Sequence, residues 1–118
     1  ALSWRDFEIL VDLIFSESGW KRVNALGGTE KTSDLELVLP ITGERAFVQV
    51  KSRTNKAEFA EYLKAFAARR DRYMFYVHHS GPVLAAPENE RCIVMNARRV
   101  AEMALDAGLQ DWLMKRAA

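Results

Sequence analysis

Phe47-Val-Gln-Val-Lys51 is the run whose reading decides the fold. Strand side chains alternate sides, so Ala46, Val48 and Val50 point one way while Phe47, Gln49 and Lys51 point the other. The first face is apolar throughout. The second sets an amide and an ammonium at the end of an otherwise interior element, and a lysine in such a place is costly without a partner. Asp34-Leu-Glu-Leu-Val-Leu39 is another alternating segment, with an acid at its start. Pro40-Ile-Thr-Gly43 is a turn between the two and returns the chain antiparallel. Asp34, Gln49 and Lys51 are therefore expected to converge.

Outward from this hairpin, the pattern alternates between helical and extended periods. Ser3 caps a helix running to about Ser18, with Trp4, Phe7, Leu10, Val11, Ile14 and Phe15 on one apolar arc. Glu8 falls at the margin of that arc, and Ile9 and Leu13 lie opposite it. Gly19 stops the helix, Trp20 to Leu26 reads as a first strand, and Gly27-Gly28 with Thr29, Thr32 and Ser33 forms a polar loop.

Downstream, Thr54 or Asn55 caps a helix to about Arg70, buried through Phe59, Tyr62, Leu63, Phe66 and Ala67. Tyr73 to His79 is a β-prone run, and a strand–helix–strand unit puts it parallel to Ala46–Lys51. Val83 to Ala86 reads as a short edge strand, Pro87 to Glu90 as a turn, and Cys92 to Met95 as a further strand. Asn96 caps a helix through about Asp106, Gly108 ends it, and Leu109 to Arg116 is a last helix docking through Leu109, Trp112 and Leu113. The fold class is α/β: a helix, a three-strand meander, a crossover helix and a parallel strand, with a C-terminal strand and helices.

The chain has 118 residues, which implies a single domain over 1–118. Its 49% hydrophobic content suffices for one core, and a net charge of +1 means that any phosphate contacts must come from locally clustered cations. The lone Cys92 sits in an apolar run and reads as a buried strand thiol. No stretch is apolar and long enough to span a membrane, and no secretory signal opens the chain, so a cytoplasmic location is expected. Ala1 rather than Met comes first, so a processed protein or a fragment of a larger one is expected.

The converging trio suits phosphodiester hydrolysis. That reaction needs a cation on the phosphate, an activated water, and positive charge for the transition state. Magnesium accepts one or two carboxylates with neutral oxygens. Asp34 offers the carboxylate, while the amide oxygen of Gln49 and the backbone carbonyl of Val50 offer neutral ligands. Lys51 suits the water or the phosphate, and Glu8 completes the set through a water.

On Glu8, Gly27-Gly28 ahead of Asp34, and Gln49-Val50-Lys51, over roughly residues 3 to 79, the chain resembles the PD-(D/E)xK nuclease superfamily. It is most similar there to Mrr-type restriction endonuclease domains, which carry Gln for the second acid. Ser33 stands in place of the motif's proline, and Thr29–Ser33 is not the acidic, glycine-rich loop usual in those domains. The resemblance implies Mg²⁺- or Mn²⁺-dependent cleavage of DNA by Asp34, Gln49 and Lys51 with Glu8 as helper. Ser52, Arg53 and Lys56, which follow the motif, are the expected phosphate contacts. A double-strand cut needs two sites, so a homodimer or larger assembly is expected.

Blander readings stand beside these. Asp34 suits a turn or cap, and Lys51 suits a strand-end lysine reaching solvent. Glu36 shares the face of Asp34 as a substitute ligand, and His78-His79 read as a strand's mouth. One alternative function is a catalytically inactive DNA-binding or assembly module of this fold. Another is an interaction domain in which Lys51 pairs with Asp34 or Glu36.

Overall fold

A computed structural model describes residues 2–26, 32–84 and 90–117 of the chain. Helix α1 spans Trp4–Glu17, and the Ser3 hydroxyl accepts from the Asp6 N–H at 3.1 Å, satisfying one donor of the open first turn. Strands β1 (Lys21–Leu26), β2 (Thr32–Leu39) and β3 (Glu44–Arg53) form the antiparallel meander. Gly43 closes the β2–β3 turn at φ +77, a conformation open to glycine without strain. Asn55, not Thr54, caps α2 (Lys56–Ala67), its side chain accepting from the Glu58 N–H at 2.9 Å.

The chain then returns as β4 (Tyr73–Ser80), parallel to β3, and as β5 (Cys92–Met95), parallel to β4. Asn96 caps α3 (Ala97–Asp106), Gly108 ends that helix at φ +78, and α4 (Gln110–Ala117) follows. The sheet has five strands in the order β1-β2-β3-β4-β5. This is the mixed α/β architecture expected of a restriction-endonuclease-like core with a C-terminal strand and helices.

Register supplies the geometry that matters. Asp34 lies opposite Gln49, and Thr32 opposite Lys51. Lys51 lies beside His78 on the other side. Alternation divides the sheet into two faces. Leu35, Leu37, Val48, Val50 and Val77 pack with Phe7, Leu10, Val11 and Ile14 of α1 and with Val100 and Ala104 of α3. Phe47, Met74, Tyr76 and Cys92 face the other way, against Phe59 and Phe66 of α2. Trp4, Trp20 and Trp112 are partly buried against the first cluster.

Several boundaries differ from the sequence reading. Helix α2 stops at Ala67, not near Arg70, and Ala67 is exposed. The reason is tertiary: Arg69 is drawn to Glu36 at 2.9 Å and Asp71 at 2.7 Å, so the chain leaves the helix to place it. Val83 and Leu84 have no strand structure, and the rest of the expected edge strand, Ala85 and Ala86, lies outside the described residues, as do Gly27-Gly28, Thr29 and Pro87. His78 does not sit at a mouth; it is buried, while His79 is exposed and meets Phe7 edge-on at 4.9 Å. No helix among the described residues is long and apolar enough to cross a membrane.

Candidate active site

The α2-side face becomes polar where β2 begins and β3 ends. Asp34 and Gln49 point out of it as cross-strand neighbours, and Lys51 follows two residues along. Gln49 is 1% exposed. Its amide hydrogen-bonds the Asp34 carboxylate. The other side of that carboxylate is unmet: Asp34 Oδ1 is buried and has no hydrogen-bond partner among the described residues. Burial raises the Asp34 pKa above the ordinary carboxylate value, while Arg69, the Gln49 amide and Lys51 pull it down. The acid is thus desolvated and flanked by two cations, but neutralised by no direct ion pair.

Lys51 pairs with neither Asp34 nor Glu36. Its ammonium meets Glu58 Oε2 of α2 at 2.9 Å, with a side chain only 14% exposed. It also sits 5.4 Å from the centre of the Tyr62 ring. Tyr62 is pushed up in pKa by burial, with Lys51 opposing and Asp34 and Glu58 adding to the rise, so all four groups share one environment. Glu36 is on the expected face but bound to Arg69, whose guanidinium lies 4.0 Å over the Phe47 ring. Tyr76 and Thr54 hydrogen-bond each other behind the site, and burial raises the Tyr76 phenol to about 12.

Glu8 is placed differently. Helix α1 covers the opposite face of the sheet, and Glu8 is not among the charges acting on Asp34. It is nevertheless at the right end, because Phe7 beside it meets His79, one residue beyond the His78 that pairs with Lys51. It also faces the right edge, because Asp12, one turn along the same stripe, pairs with Arg22 of β1 at 2.7 Å. The Val50 side chain is buried in the apolar face, and its carbonyl belongs to a strand with neighbours on both sides. Ser52 is half-buried, its carbonyl accepting from the Ser80 hydroxyl at 3.0 Å, while Arg53 and Lys56 are exposed at the entry to α2.

Sequence reasoning overlooked Glu58, Tyr62 and Arg69. The first had a local signal: Asn55-Lys-Ala-Glu58 is a capping-box pattern, which puts an acid in the first turn of the helix nearest Lys51. Nothing local marks Tyr62 or Arg69, whose roles depend on how α2 lies across the sheet.

Residues 1–83 match the restriction endonuclease family in its Mrr catalytic form. The chain belongs to that family. The match ends just past β4, so it takes in α1, the meander, α2 and the parallel strand that together carry Asp34, Gln49, Lys51 and Glu8. No curated protein and no solved structure matches the chain. The family suggests a nuclease, and the polar end of the α2-side face lies within the matched residues. Among the described residues no three His, Cys, Asp or Glu side chains gather as a metal cluster. Any cation there would rest on one carboxylate plus neutral oxygens.

Proposed function

We propose that the chain is a divalent-cation-dependent DNA endonuclease that hydrolyses phosphodiester bonds at Asp34, Gln49 and Lys51. The observation that carries this reading is Asp34 Oδ1, a buried carboxylate oxygen left without a partner. Buried polar atoms are almost always satisfied, so a fold that leaves one open at a family motif favours a missing occupant. The donor set suits a hard cation such as Mg²⁺ or Mn²⁺, which takes oxygens and needs few carboxylates. Asp34 Oδ1, the amide oxygen of Gln49 and the Val50 carbonyl are the oxygens that would hold it. When bound, such a cation lowers the pKa of water and offsets phosphate charge.

The remaining tasks fall to the chain itself. Lys51 holds a positive charge close to Asp34 in a largely water-free setting, where it acts more strongly on a phosphate than it would in bulk solvent. Glu58 and the Tyr62 face keep that ammonium in place. Arg53 and Lys56, exposed beside the α2 N-terminus, suit phosphates flanking the scissile one. Glu8 serves across the end of the sheet rather than from the same face. A homodimer would supply the second site for a double-strand cut.

One observation favours the rival of a catalytically silent module: Lys51 is engaged by Glu58 at 2.9 Å. A plasmid-nicking assay with Mg²⁺ and Mn²⁺ on wild type, Asp34→Ala and Lys51→Ala decides between them. Cation-dependent nicking lost in both variants supports the enzyme. Equal activity, or none, in all three removes this site from catalysis.

A further inference from the structure

A recess of about 520 Å³ opens where β5 gives way to α3. One part of its wall is apolar, from Val83, Leu84, Ile93 and Val94 beside Cys92, and the other is polar, from His78, Asn96, Arg98, Arg99 and Glu102. His78 is 4% exposed, so it is nearly enclosed, yet its ring forms part of this wall. Its Nδ1 faces the Ser80 carbonyl oxygen at a long 3.4 Å, and its other ring nitrogen has no hydrogen-bond partner among the described residues. A nearly enclosed imidazole thus lines the recess with a single, long hydrogen bond among the described residues.

The two arginines stand where helix electrostatics disfavour them. They are the second and third residues of α3, at the partially positive end of the helix dipole, and no acid shares that first turn. Helices α1, α2 and α4 place Asp6, Glu58 and Asp111 at the same level. Arg99 reaches Glu102 only at 4.0 Å, with both side chains about half exposed, a pair of little worth. Arg98 has no ion pair among the described residues. Asn96 Oδ1 already takes the Arg99 N–H at 2.9 Å, so the groups that complement a tetrahedral oxyanion here are the two guanidinium forks and the imidazole, with the helix dipole behind them.

The recess lies at the same end of the sheet as the Asp34 site. Lys51 and His78 are ladder neighbours on β3 and β4, and β5 is the next strand. From Lys51 to the recess is therefore about two strand spacings, roughly 10 Å. Both lie at the C-terminal ends of parallel strands, the usual place for ligands in α/β sheets.

We propose that this recess binds a backbone phosphate of the nucleic acid, one that flanks the bond cleaved at Asp34. The strand then runs across the ends of β3, β4 and β5, from Lys51 past His78 to Arg98 and Arg99. This rests on the reading of the chain as a DNA endonuclease. The test is binding of a fluorescein-labelled 20-base-pair duplex, followed by anisotropy in EDTA buffer across a salt series. Wild type is compared with Arg98→Gln/Arg99→Gln and, separately, with His78→Gln. Both arginines are exposed, and a thermal melt matching wild type shows that the double variant folds.

The expected result is an affinity loss of about tenfold at low salt, with the slope of log K against log salt shallower by about 0.9 for the lost phosphate contact. His78→Gln should weaken binding less, with no change in slope. An unchanged affinity and slope in the double variant, with wild type still binding and nicking DNA, overturns the recess alone. A wild type that neither binds nor nicks overturns the endonuclease reading and this proposal together.

Discussion

The two faces of one sheet are built to different standards. Against α1 and α3, the buried side chains that β2, β3 and β4 contribute, Leu35, Leu37, Ala46, Val48, Val50 and Val77, are all apolar. Against α2, the same strands begin with Phe47 and Met74 and end with Asp34, Gln49, Lys51 and His78. The first face holds the chain together by removing apolar area from water. The second retains a desolvated acid, an open carboxylate oxygen and a half-enclosed lysine, none of which a stabilising core needs. The lesson is that stability and chemistry are segregated by the period of the strand, so perturbations of the two faces should separate cleanly.

The largest expected separation is in activity. Asp34→Ala and Lys51→Ala should each cut the nicking rate by at least about a thousandfold, roughly 4 kcal/mol in barrier height. Their urea midpoints should stay at or above that of wild type. A parallel loss of stability would mean that the polar end is structural after all. On the opposite face, Leu10→Ala removes a side chain that is 1% exposed. It should cost about 3 kcal/mol of folding free energy through lost transfer and a residual cavity. Nicking per folded molecule should then be unchanged when urea melts and rates are measured on one preparation.

Gly81→Ala tests the seam between the faces. Gly81 has φ +131, and an added Cβ would stand 2.5 Å from the Thr54 carbonyl oxygen. The substitution should destabilise by about 2 kcal/mol, as strain at a glycine-only conformation. It should also shift Thr54, the partner of Tyr76. Thermal melts and Tyr76 side-chain NMR would register both.

How far the sequence carries this division is itself uneven. Alternation in Phe47–Lys51 and Asp34–Leu39 suffices to pair Asp34 with Gln49, because a slipped register would expose Leu35 and Val48. Helix α3 is legible down to its ends, since Asn96 and Gly108 punctuate it locally. Helix α2 is not: its end is set by Arg69, which answers to Glu36 on a strand far away in the chain. His78 reads as a strand's mouth because alternation reports which side a residue faces but not what covers that side, and the residue is in fact buried. Lys51 lacks its partner in the sequence for the same reason, since Glu58 reaches it only when α2 is laid across the sheet.

The smallest effect is the most diagnostic of the polar face. Asp34→Asn should stabilise the protein by about 1 kcal/mol at pH 7, the low end for relieving a buried, unsatisfied group. The sign follows from linkage. The folded pKa of Asp34 lies above its ordinary value of 3.8, so between the two values the folded state holds more protons than the unfolded one. Stability is therefore lost as pH rises through that window. The advantage of the Asn variant should vanish below pH 3.8 and grow to a plateau above the folded pKa. His78 runs the other way: burial lowers its pKa below 6.5, so its neutral form loses stability as pH falls from 6.5 through the folded value.

Calorimetric titration of Mn²⁺ into wild type and Asp34→Asn at neutral pH bears most directly on the purpose of the open carboxylate oxygen. Saturable binding at one site per chain in wild type, absent from the Asn variant although that variant is the more stable, is the expected result. No binding to wild type, or the same isotherm for both proteins, would contradict it.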